Sequence, residues 1–414
     1  MQKQLIGNAI VGQSGGPTAA INATLAGVIK GALESECIQT VYGMRNGIEG
    51  FLEDRVIDLG KVFADESNLK VLVQTPAAAL GSCRKKLPRL DFDDKECVEF
   101  YNNLFAKLEK YGIKYFFYIG GNDSMDTVDK MSRYALRNGI DIRIIGIPKT
   151  IDNDLPVTDH TPGFGSAAKY VATTVNEIIR DCSVYTLKAV TIVEIMGRDA
   201  GWLTASSAIG RVVNGAAPDL VYLPERPFCM ESFFADVEAA LQRHPNVVIA
   251  VSEGLRMSDG KYVGESTQSG AVDVFGHKYL SGTGKALEIA IKQKFGCKVR
   301  SVELNLPQRC AGHLISRTDI EESVRIGCAA VSAAVSGVSG EMMIFERGED
   351  EEYRCEISHA RVCDIANGTK YVPDGFINAE GNNVTDECCR YLLPLIMGEC
   401  DIIFESGLPK HIIL

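Results

Sequence analysis

The stretch Tyr-Phe-Phe-Tyr-Ile-Gly-Gly-Asn-Asp-Ser, residues 115–124, contains the pattern that decides the fold. Its first five residues are apolar and suit a buried strand, and the Gly120-Gly121 turn leads into helical spacing from Ser124 to Arg137. A buried strand that is followed at once by a helix is the repeating unit of a parallel sheet.

The same unit recurs on both sides of this stretch. Upstream, the run Asn8 to Val11 ends at a glycine turn before a helical stretch from Ala19 to Leu33. Further predicted strands cover 142–147, 189–195, 220–223, 247–251, 299–304 and 342–345, and predicted helices cover 166–181, 202–210, 230–243, 285–295 and 320–335. This alternation predicts an α/β fold of parallel sheets covered by helices, with ligands bound beyond the carboxyl ends of the strands.

Length and composition narrow the class of protein. The 414 residues suit two domains or one elaborate α/β unit, and 54 Asp+Glu against 43 Lys+Arg argue against a nucleic-acid or acidic-membrane partner. No signal-peptide pattern and no apolar run of about 18 residues is present, and the thirteen scattered cysteines are typical of reduced, buried thiols. We therefore expect a cytoplasmic protein.

Three strand ends carry residues suited to phosphate chemistry. The donor turn, residues 14–18 (Ser-Gly-Gly-Pro-Thr), precedes a helix, so its amides can face an anion, and Gly120–Ser124 repeats the arrangement. Asp152 and Asp154 follow Lys149 in Pro-Lys-Thr-Ile-Asp-Asn-Asp (148–154). One carboxylate could deprotonate a hydroxyl and the lysine could offset phosphoryl charge. Taken singly, each stretch is equally compatible with a tight turn or a solvated loop.

Taken together, the motifs resemble the phosphofructokinase family, in that family's order and over nearly the whole chain. They are Gly-Gly-Asn-Asp-Ser (120–124), Pro-Lys-Thr-Ile-Asp-Asn-Asp (148–154), Met-Gly-Arg (196–198), Ser-Glu-Gly-Leu-Arg (252–256) and Pro-Gln-Arg (307–309). The resemblance implies two three-layer αβα domains with mostly parallel sheets and an active site in the cleft between them. Residues 1–163 and about 310–360 would bind the phosphoryl donor, and residues 164–309 and about 361–414 would bind the sugar phosphate.

The resemblance also implies roles at the reacting centre. Asp152 resembles the general base that takes the proton from the sugar's 1-hydroxyl, and Thr150 and Asp154 resemble its neighbours. Lys149 and Arg198 would offset charge on the transferring phosphoryl group. The predicted catalytic residues are therefore Asp123, Lys149, Thr150, Asp152, Asp154 and Arg198.

Further substrate contacts follow from the same resemblance. Glu253 resembles the carboxylate that binds sugar hydroxyls, and Arg309 resembles the arginine that grips the 6-phosphate. Arg84 matches an arginine on the donor side, and Arg300 matches one that a neighbouring subunit lends to the site, which implies a homodimer or larger homo-oligomer. The remaining predicted contacts are Gly15, Gly16, Ser124, Ile151, Met196 and Gly197.

The phosphoryl donor depends mainly on Asp123. Members of the family that use ATP resemble Gly-Gly-Asp-Gly-Ser, with glycine where this chain has Asp123. A carboxylate there fills the space for a nucleotide's α-phosphate and adds a like charge, which at about 4 Å and an effective dielectric near 20 costs roughly 4 kcal/mol. Lys149 can supply positive charge to pyrophosphate. We therefore predict pyrophosphate as donor, fructose 6-phosphate as acceptor, and membership of the pyrophosphate-dependent branch.

Some positions depart from the family pattern. Asn122 stands where most relatives have an aspartate associated with magnesium, and an amide oxygen is a weaker ligand for a hard cation. We expect Mg²⁺ as cofactor, held mainly by pyrophosphate or by Asp152 or Asp154, with Asn122 as a doubtful ligand. Ala189 and Leu306 replace a phosphate-binding arginine and a histidine of bacterial ATP-using enzymes. An ATP-dependent phosphofructokinase and a non-catalytic regulatory subunit of the same fold remain alternatives.

Overall fold

The fold was obtained as a computed structural model, which describes residues 4–267, 282–350, 352–366 and 368–414. In these ranges thirteen strands occur: β1 (Gly7–Gln13), β2 (Ile38–Met44), β3 (Val56–Asp58), β4 (Ile113–Gly120), β5 (Arg143–Pro148), β6 (Ala189–Ile195), β7 (Leu220–Tyr222), β8 (Asn246–Ser252), β9 (Lys298–Glu303), β10 (Glu341–Arg347), β11 (Cys355–Arg361), β12 (Phe404–Glu405) and β13 (Leu408–Pro409).

Fourteen α-helices occur in the same ranges: α1 (Ile21–Leu33), α2 (Gly47–Leu52), α3 (Leu59–Val62), α4 (Glu66–Gln74), α5 (Lys95–Lys110), α6 (Asn122–Arg137), α7 (Phe164–Cys182), α8 (Trp202–Ser206), α9 (Gly210–Val213), α10 (Met230–Arg243), α11 (Thr283–Phe295), α12 (Pro307–Cys310), α13 (Arg317–Ser336) and α14 (Asp386–Leu392). Short 3₁₀ helices cover Val263–Thr267, Gly312–Leu314, Val362–Asp364, Asp374–Phe376 and Leu393–Ile396. Within the described ranges no helix is long and apolar enough to cross a membrane.

Two sheets organise the molecule. The larger has seven strands in the order β11-β10-β5-β4-β1-β2-β3, with parallel pairing from β10 to β2 and an antiparallel strand at each edge. The smaller has four parallel strands in the order β7-β8-β6-β9. The prediction of an α/β fold with mostly parallel sheets is confirmed.

Alternate side chains of each central strand enter different cores, which produces three layers. In β4, Tyr115 and Phe117 pack with α1 and α13 on one face, while Phe116 and Tyr118 pack with α5 and α6 on the other. The smaller sheet is covered in the same way, by α7 and α14 on one face and by α10 and α11 on the other. Strands buried on both faces explain why the sequence shows continuous apolar runs there.

A buried carboxylate joins the two halves. Asp319 of α13 accepts hydrogen bonds from the backbone N–H groups of Gly163 (2.9 Å) and Ser166 (2.8 Å), which are the otherwise unpaired donors at the start of α7. Ser316 in turn caps α13 by accepting from the Asp319 N–H at 3.4 Å. The first turn of α13, in one half, therefore caps α7, the first long helix of the other half.

The C-terminal tail differs from the predicted division. Gln74 of α4 bonds the backbone of Ile403 and Lys410 at 2.8–2.9 Å, and Thr75 accepts from the Ile412 N–H at 3.0 Å. Residues beyond about 400 therefore lie on the half built around the larger sheet, although 361–414 were predicted to belong to the other half. The reason is local, since the buried Gln74 amide needs partners and the tail supplies them.

Candidate active site

Strand ends of both sheets meet at a cleft with a cavity of about 580 Å³. The donor turn follows β1, Asn122 to Ser124 follow β4, and the carboxylate loop (residues 149–154) follows β5. The smaller sheet contributes residues that follow β6 and β8. Of the predicted site residues, the cleft is lined by Gly15, Gly16, Arg84, Asn122, Asp123, Ser124, Lys149, Thr150, Ile151, Asp152, Asp154, Met196, Arg198, Glu253 and Arg309.

The donor turn is held against the loop after β4. The hydroxyls of Ser14 and Ser124 are 2.5 Å apart, and a side chain at Gly120 would collide with Ser124, since a Cβ there would lie 1.9 Å from its Oγ. Gly15 has a φ of 79°, which only glycine adopts without strain. The turn and the start of α6 are therefore packed too closely for larger residues.

Lys149 connects the donor turn to the carboxylate loop. Its side chain is 3% exposed, and Nζ donates to the carbonyl oxygen of Gly16 at 2.5 Å. Burial lowers the pKa of Lys149 to about 8, although the charges of Asp152 and Asp154 act in the opposite direction. A lysine in this position can place positive charge beside a phosphate that enters from the donor side.

The carboxylates lie at the centre of the cleft. Burial, and next the negative charge of Asp154, raise the pKa of Asp152 to about 7, while Arg198 and Lys149 oppose the shift. Burial also raises the pKa of Asp154. The Thr150 hydroxyl accepts a hydrogen bond from the Asp152 N–H at 3.1 Å, which orients the loop. A carboxylate whose pKa is near neutrality is suited to general-base work.

Asp123 and Asn122 open helix α6 at the edge of the cleft. The Asp123 carboxylate is 2.9 Å from Nζ of Lys86, and both side chains are about half exposed. Asn122 donates from Nδ2 to the carbonyl oxygen of Gly368 at 2.9 Å, while its buried Oδ1 has no hydrogen-bond partner among the described residues. An unpaired buried oxygen in a polar cleft is a vacant acceptor for a cation or a donor group.

The opposite wall follows β6 and β8. Met196 donates from its N–H to Oε1 of Gln308 at 3.2 Å. Gly197 is not among the residues that line the cleft, but its N–H donates to Oε1 of Glu253, which does line it, at 3.4 Å. Burial, and next the charge of Asp152, raise the pKa of Glu253 to about 8. Burial also lowers the pKa of Arg309. Its guanidinium lies 3.7 Å from the position of a Cβ built on Gly16, so Arg309 reaches across to the donor turn.

Arg300 lies apart from the other predicted residues. It is exposed on β9 and lines a separate small cavity with Tyr185 and Lys298. Its predicted role in a neighbouring subunit's site stays a prediction.

The sequence reading missed several residues that line the cleft, namely Lys85, Lys86, Asp199, Ala200 and Thr369. The basic run Arg84-Lys85-Lys86 was a usable signal for the first two, because clustered positive charge favours phosphate. Thr369 comes from a distant segment, and no local pattern indicates that it reaches the cleft.

The chain is similar to known proteins over most of its length. The sequence profile described as phosphofructokinase matches residues 8–348. The chain is 41% identical over 411 residues to a pyrophosphate--fructose 6-phosphate 1-phosphotransferase of Xanthomonas campestris pv. campestris (strain B100), covering 99% of this chain and 96% of that one. It is 40% identical over 406 residues to the protein of the same name from Halomonas elongata, covering 97% of this chain and 95% of that one.

Solved structures agree with these matches. The fold resembles the crystal structure of a pyrophosphate-dependent phosphofructokinase from Nitrosospira multiformis with a TM-score of 0.87 and 35% identity. The match covers 98% of this chain and 96% of that one.

Proposed function

The chain belongs to the phosphofructokinase family, and from this premise we propose that it transfers a phosphoryl group from pyrophosphate to fructose 6-phosphate. The products are fructose 1,6-bisphosphate and phosphate, and the reaction is reversible, so that it serves both glycolysis and gluconeogenesis in the cytoplasm. One observation supports the proposal most strongly. A single cleft brings a buried lysine and a buried carboxylate with near-neutral pKa values beside a donor turn that Asp123 borders.

The proposed chemistry relies on position and charge. Asp152 accepts the proton of the sugar's 1-hydroxyl as the oxygen attacks the near phosphorus of pyrophosphate, and the bond to the bridging oxygen breaks to release phosphate. Lys149 and Arg198 offset the charge on the phosphoryl oxygens. Thr150 and Asp154 hold Asp152 in register, and Glu253 and Arg309 bind the sugar's hydroxyls and its 6-phosphate.

The residues present fit a divalent cation at this site. Asn122 Oδ1 is a buried oxygen without a partner in the described residues, and the Asp152 and Asp154 carboxylates line the same cleft. Oxygen ligands of this kind suit Mg²⁺, which keeps several waters and binds substrate phosphates. We infer that Mg²⁺ is held mainly by pyrophosphate, with Asn122 and one carboxylate as its protein contacts, and that it supplies charge neutralisation.

Donor choice is assigned to Asp123 and its partner Lys86. Both residues line the cleft, and we infer that their ion pair occupies space that a nucleotide's α-phosphate would need. Lys86 reduces the like-charge penalty that Asp123 alone would impose, so exclusion of nucleotides depends on the occupied space as well as on charge.

The division of labour between the two halves is also part of the proposal. Residues 1–163 and about 310–360, with the tail beyond about 400, would hold pyrophosphate. Residues 164–309 and about 361–399 would hold the sugar phosphate. Arg300 would reach a second copy of the chain, so that the active unit is a homodimer or larger.

The test uses purified protein with fructose 6-phosphate, Mg²⁺ and pyrophosphate, and measures fructose 1,6-bisphosphate. Asp152→Asn should lower kcat by about 10²- to 10⁴-fold and retain sugar binding measured by calorimetry, because only proton transfer is lost. Turnover with ATP but not with pyrophosphate would contradict pyrophosphate as the donor. Binding without turnover from either donor would favour a regulatory subunit.

A further inference from the structure

A segment outside every recognised motif contacts the donor side of the cleft, the sugar side, and the carboxylate loop between them. Residues 368–372 lie far along the chain from the strand-end loops, yet Gly368 accepts a hydrogen bond from Asn122 Nδ2 at 2.9 Å on the donor side. Val372 donates to Oε1 of Glu225 at 2.9 Å, and the same oxygen accepts from the Gly201 N–H at 2.8 Å on the sugar side. The segment therefore bridges the two walls.

Lys370, at the middle of this segment, holds the carboxylate loop between them. Its backbone N–H donates to the carbonyl oxygen of Asp154 at 2.8 Å, and its Nζ donates to Oδ1 of Asn153 at 3.1 Å. Nζ also donates to the carbonyl oxygens of Thr158 at 3.0 Å and Asp159 at 2.7 Å. An ammonium group has three hydrogens, and all three are satisfied here.

The other side of Lys370 contacts the sugar wall. Its carbonyl oxygen accepts from Nε1 of Trp202 at 3.1 Å, and its Nζ lies 5.4 Å from the centre of the Trp202 ring. Trp202 begins α8, directly after the loop that contains Met196, Gly197 and Arg198. One residue thus links the carboxylate loop to the loop that carries Arg198.

Asn153 is the point where this support matters most. It is fully buried between the two carboxylates and has a φ of 54°, in the left-handed region that few residues other than glycine adopt. Asparagine is one of the few that do, and contacts to its side chain help to hold the conformation. Lys370 donates a hydrogen bond to the side-chain oxygen of Asn153, and the Thr150 hydroxyl accepts one from the N–H of the preceding residue, Asp152.

We propose that Lys370 is a positioning residue that fixes the carboxylate loop, and with it Asp152, against both walls of the cleft. The inference rests on the proposed function, because Asp152 is the group that must meet the sugar's 1-hydroxyl. Lys370 does not line the cleft, so it acts through Asn153 and the backbone of Asp154.

The experiment compares Lys370→Met with a matched control, Lys169→Met. Lys169 is also a buried lysine that donates to backbone carbonyls, those of Ile315 at 3.3 Å and Gly398 at 2.6 Å. Its third partner is the exposed Glu399 carboxylate at 2.8 Å, and none of its hydrogen bonds goes to the carboxylate loop. Lys370→Met should lower kcat by about 10- to 100-fold with KM for both substrates within about threefold, because a small misplacement of a reacting group slows chemistry more than binding. Lys169→Met should keep kcat within about twofold.

Hydrogen exchange supplies a readout that is independent of activity. Amides of residues 149–159 should exchange faster in Lys370→Met than in Lys169→Met, since the loop loses its anchor only in the first. If wild-type protein fails to turn over pyrophosphate, the proposed function is refuted and the exchange comparison still tests Lys370. Equal kcat in the two variants, or equal exchange, would overturn the role of Lys370 alone.

Asn153→Gly keeps the proposal testable if Lys370→Met does not fold. Glycine retains the left-handed backbone and removes the side chain that Lys370 holds. We expect kcat to fall about 10-fold without a matching change in KM. The double variant should lose less than the product of the single losses, because both changes break the same contact. Wild-type kcat in Asn153→Gly would overturn the proposal.

Discussion

Lys149 and Asp152 lie on one short loop, and burial brings the pKa values of both close to neutrality. The pKa of Lys149 falls to about 8, and that of Asp152 rises to about 7. The proposed reaction requires Asp152 ionised and Lys149 protonated. Their chemistry therefore limits the active form of the free enzyme to a narrow range of pH.

We expect kcat/KM for fructose 6-phosphate to follow a bell-shaped pH profile. It should fall as the pH drops below about 7, where Asp152 is protonated, and as the pH rises above about 8, where Lys149 loses its charge. Initial rates over roughly pH 5 to 10 at low sugar concentration measure it.

Lys149→Arg identifies the basic limb. Burial also lowers the pKa of Lys370 to about 8, so the limb alone does not name its residue. A guanidinium stays protonated throughout this range, and the variant, although slower, should lose the basic limb and keep the acidic one. A variant that keeps both limbs would contradict the assignment to Lys149.

Among single residues, the sequence predicted those that directly follow strands. The donor turn, Asp123, Lys149 and Asp152 were predicted from strand ends and from the family motifs, and all of them line the cleft, while their roles in the reaction stay predictions. Lys86 and Lys370 were not found. Lys86 lies two residues after Arg84, in a basic run whose charge was the available signal. Lys370 contacts the carboxylate loop from a distant segment, and such long-range contacts have no local periodicity.

Among the elements, helices α1 and α13 cross with their backbones in close contact at Gly27 and Gly327. A Cβ on Gly27 would lie 2.1 Å from the carbonyl oxygen of Val324, and one on Gly327 would lie 2.3 Å from that of Thr24. The glycines let the two backbones touch. Helix α1 follows the donor turn, so this crossing also supports the site.

Gly327→Ala should destabilise the protein by about 1–3 kcal/mol, because the new methyl group meets backbone that cannot yield. This sign is opposite to the usual effect of alanine in a helix, which stabilises by roughly 0.5–1 kcal/mol. Urea unfolding measures the difference. Gly375→Ala is the control, since nothing lies within 4 Å of a Cβ there, and it should be neutral. Equal stability of the two variants would disprove the close crossing.

The elements that sequence predicted were those with a continuous apolar run or a clear helical periodicity of apolar residues. Strand β6 and helix α10 have the predicted bounds, Ala189–Ile195 and Met230–Arg243. Strand β2 was missed because polar and apolar residues are mixed in Ile38–Met44. Helix α5 was missed although its signals were present, since Asp94 caps it and Cys97, Tyr101, Leu104 and Leu108 form an apolar face. Edge strand β11 is only partly buried and has little pattern to read.

At the scale of the whole molecule, the role of Arg300 decides whether each chain has a complete active site or shares one with a second copy. It is exposed on β9 and does not line this chain's cleft. Mixing Arg300→Ala with Asp152→Asn chains should restore activity that neither has alone, because a mixed dimer contains one complete site. Random pairing would give about a quarter of wild-type activity.

Two affinity tags allow the mixed assembly to be purified and assayed. Absence of recovery in purified mixed dimers, or an Arg300→Ala chain with wild-type KM for fructose 6-phosphate, would contradict the shared site. A species that runs as a monomer yet turns over at full rate would do the same.

The most direct measurement compares pyrophosphate and ATP as donors for the wild-type protein and for Asp123→Gly. With Asp123 paired to Lys86 at the donor edge, wild-type protein should turn over with pyrophosphate and show no measurable rate with ATP. Asp123→Gly should gain turnover with ATP, by less than the roughly thousandfold that a full penalty of about 4 kcal/mol would give, because Lys86 already offsets part of the charge, and it should lose efficiency with pyrophosphate. Comparable wild-type rates with both donors, or an Asp123→Gly variant that still uses pyrophosphate alone and as well as before, would contradict the account.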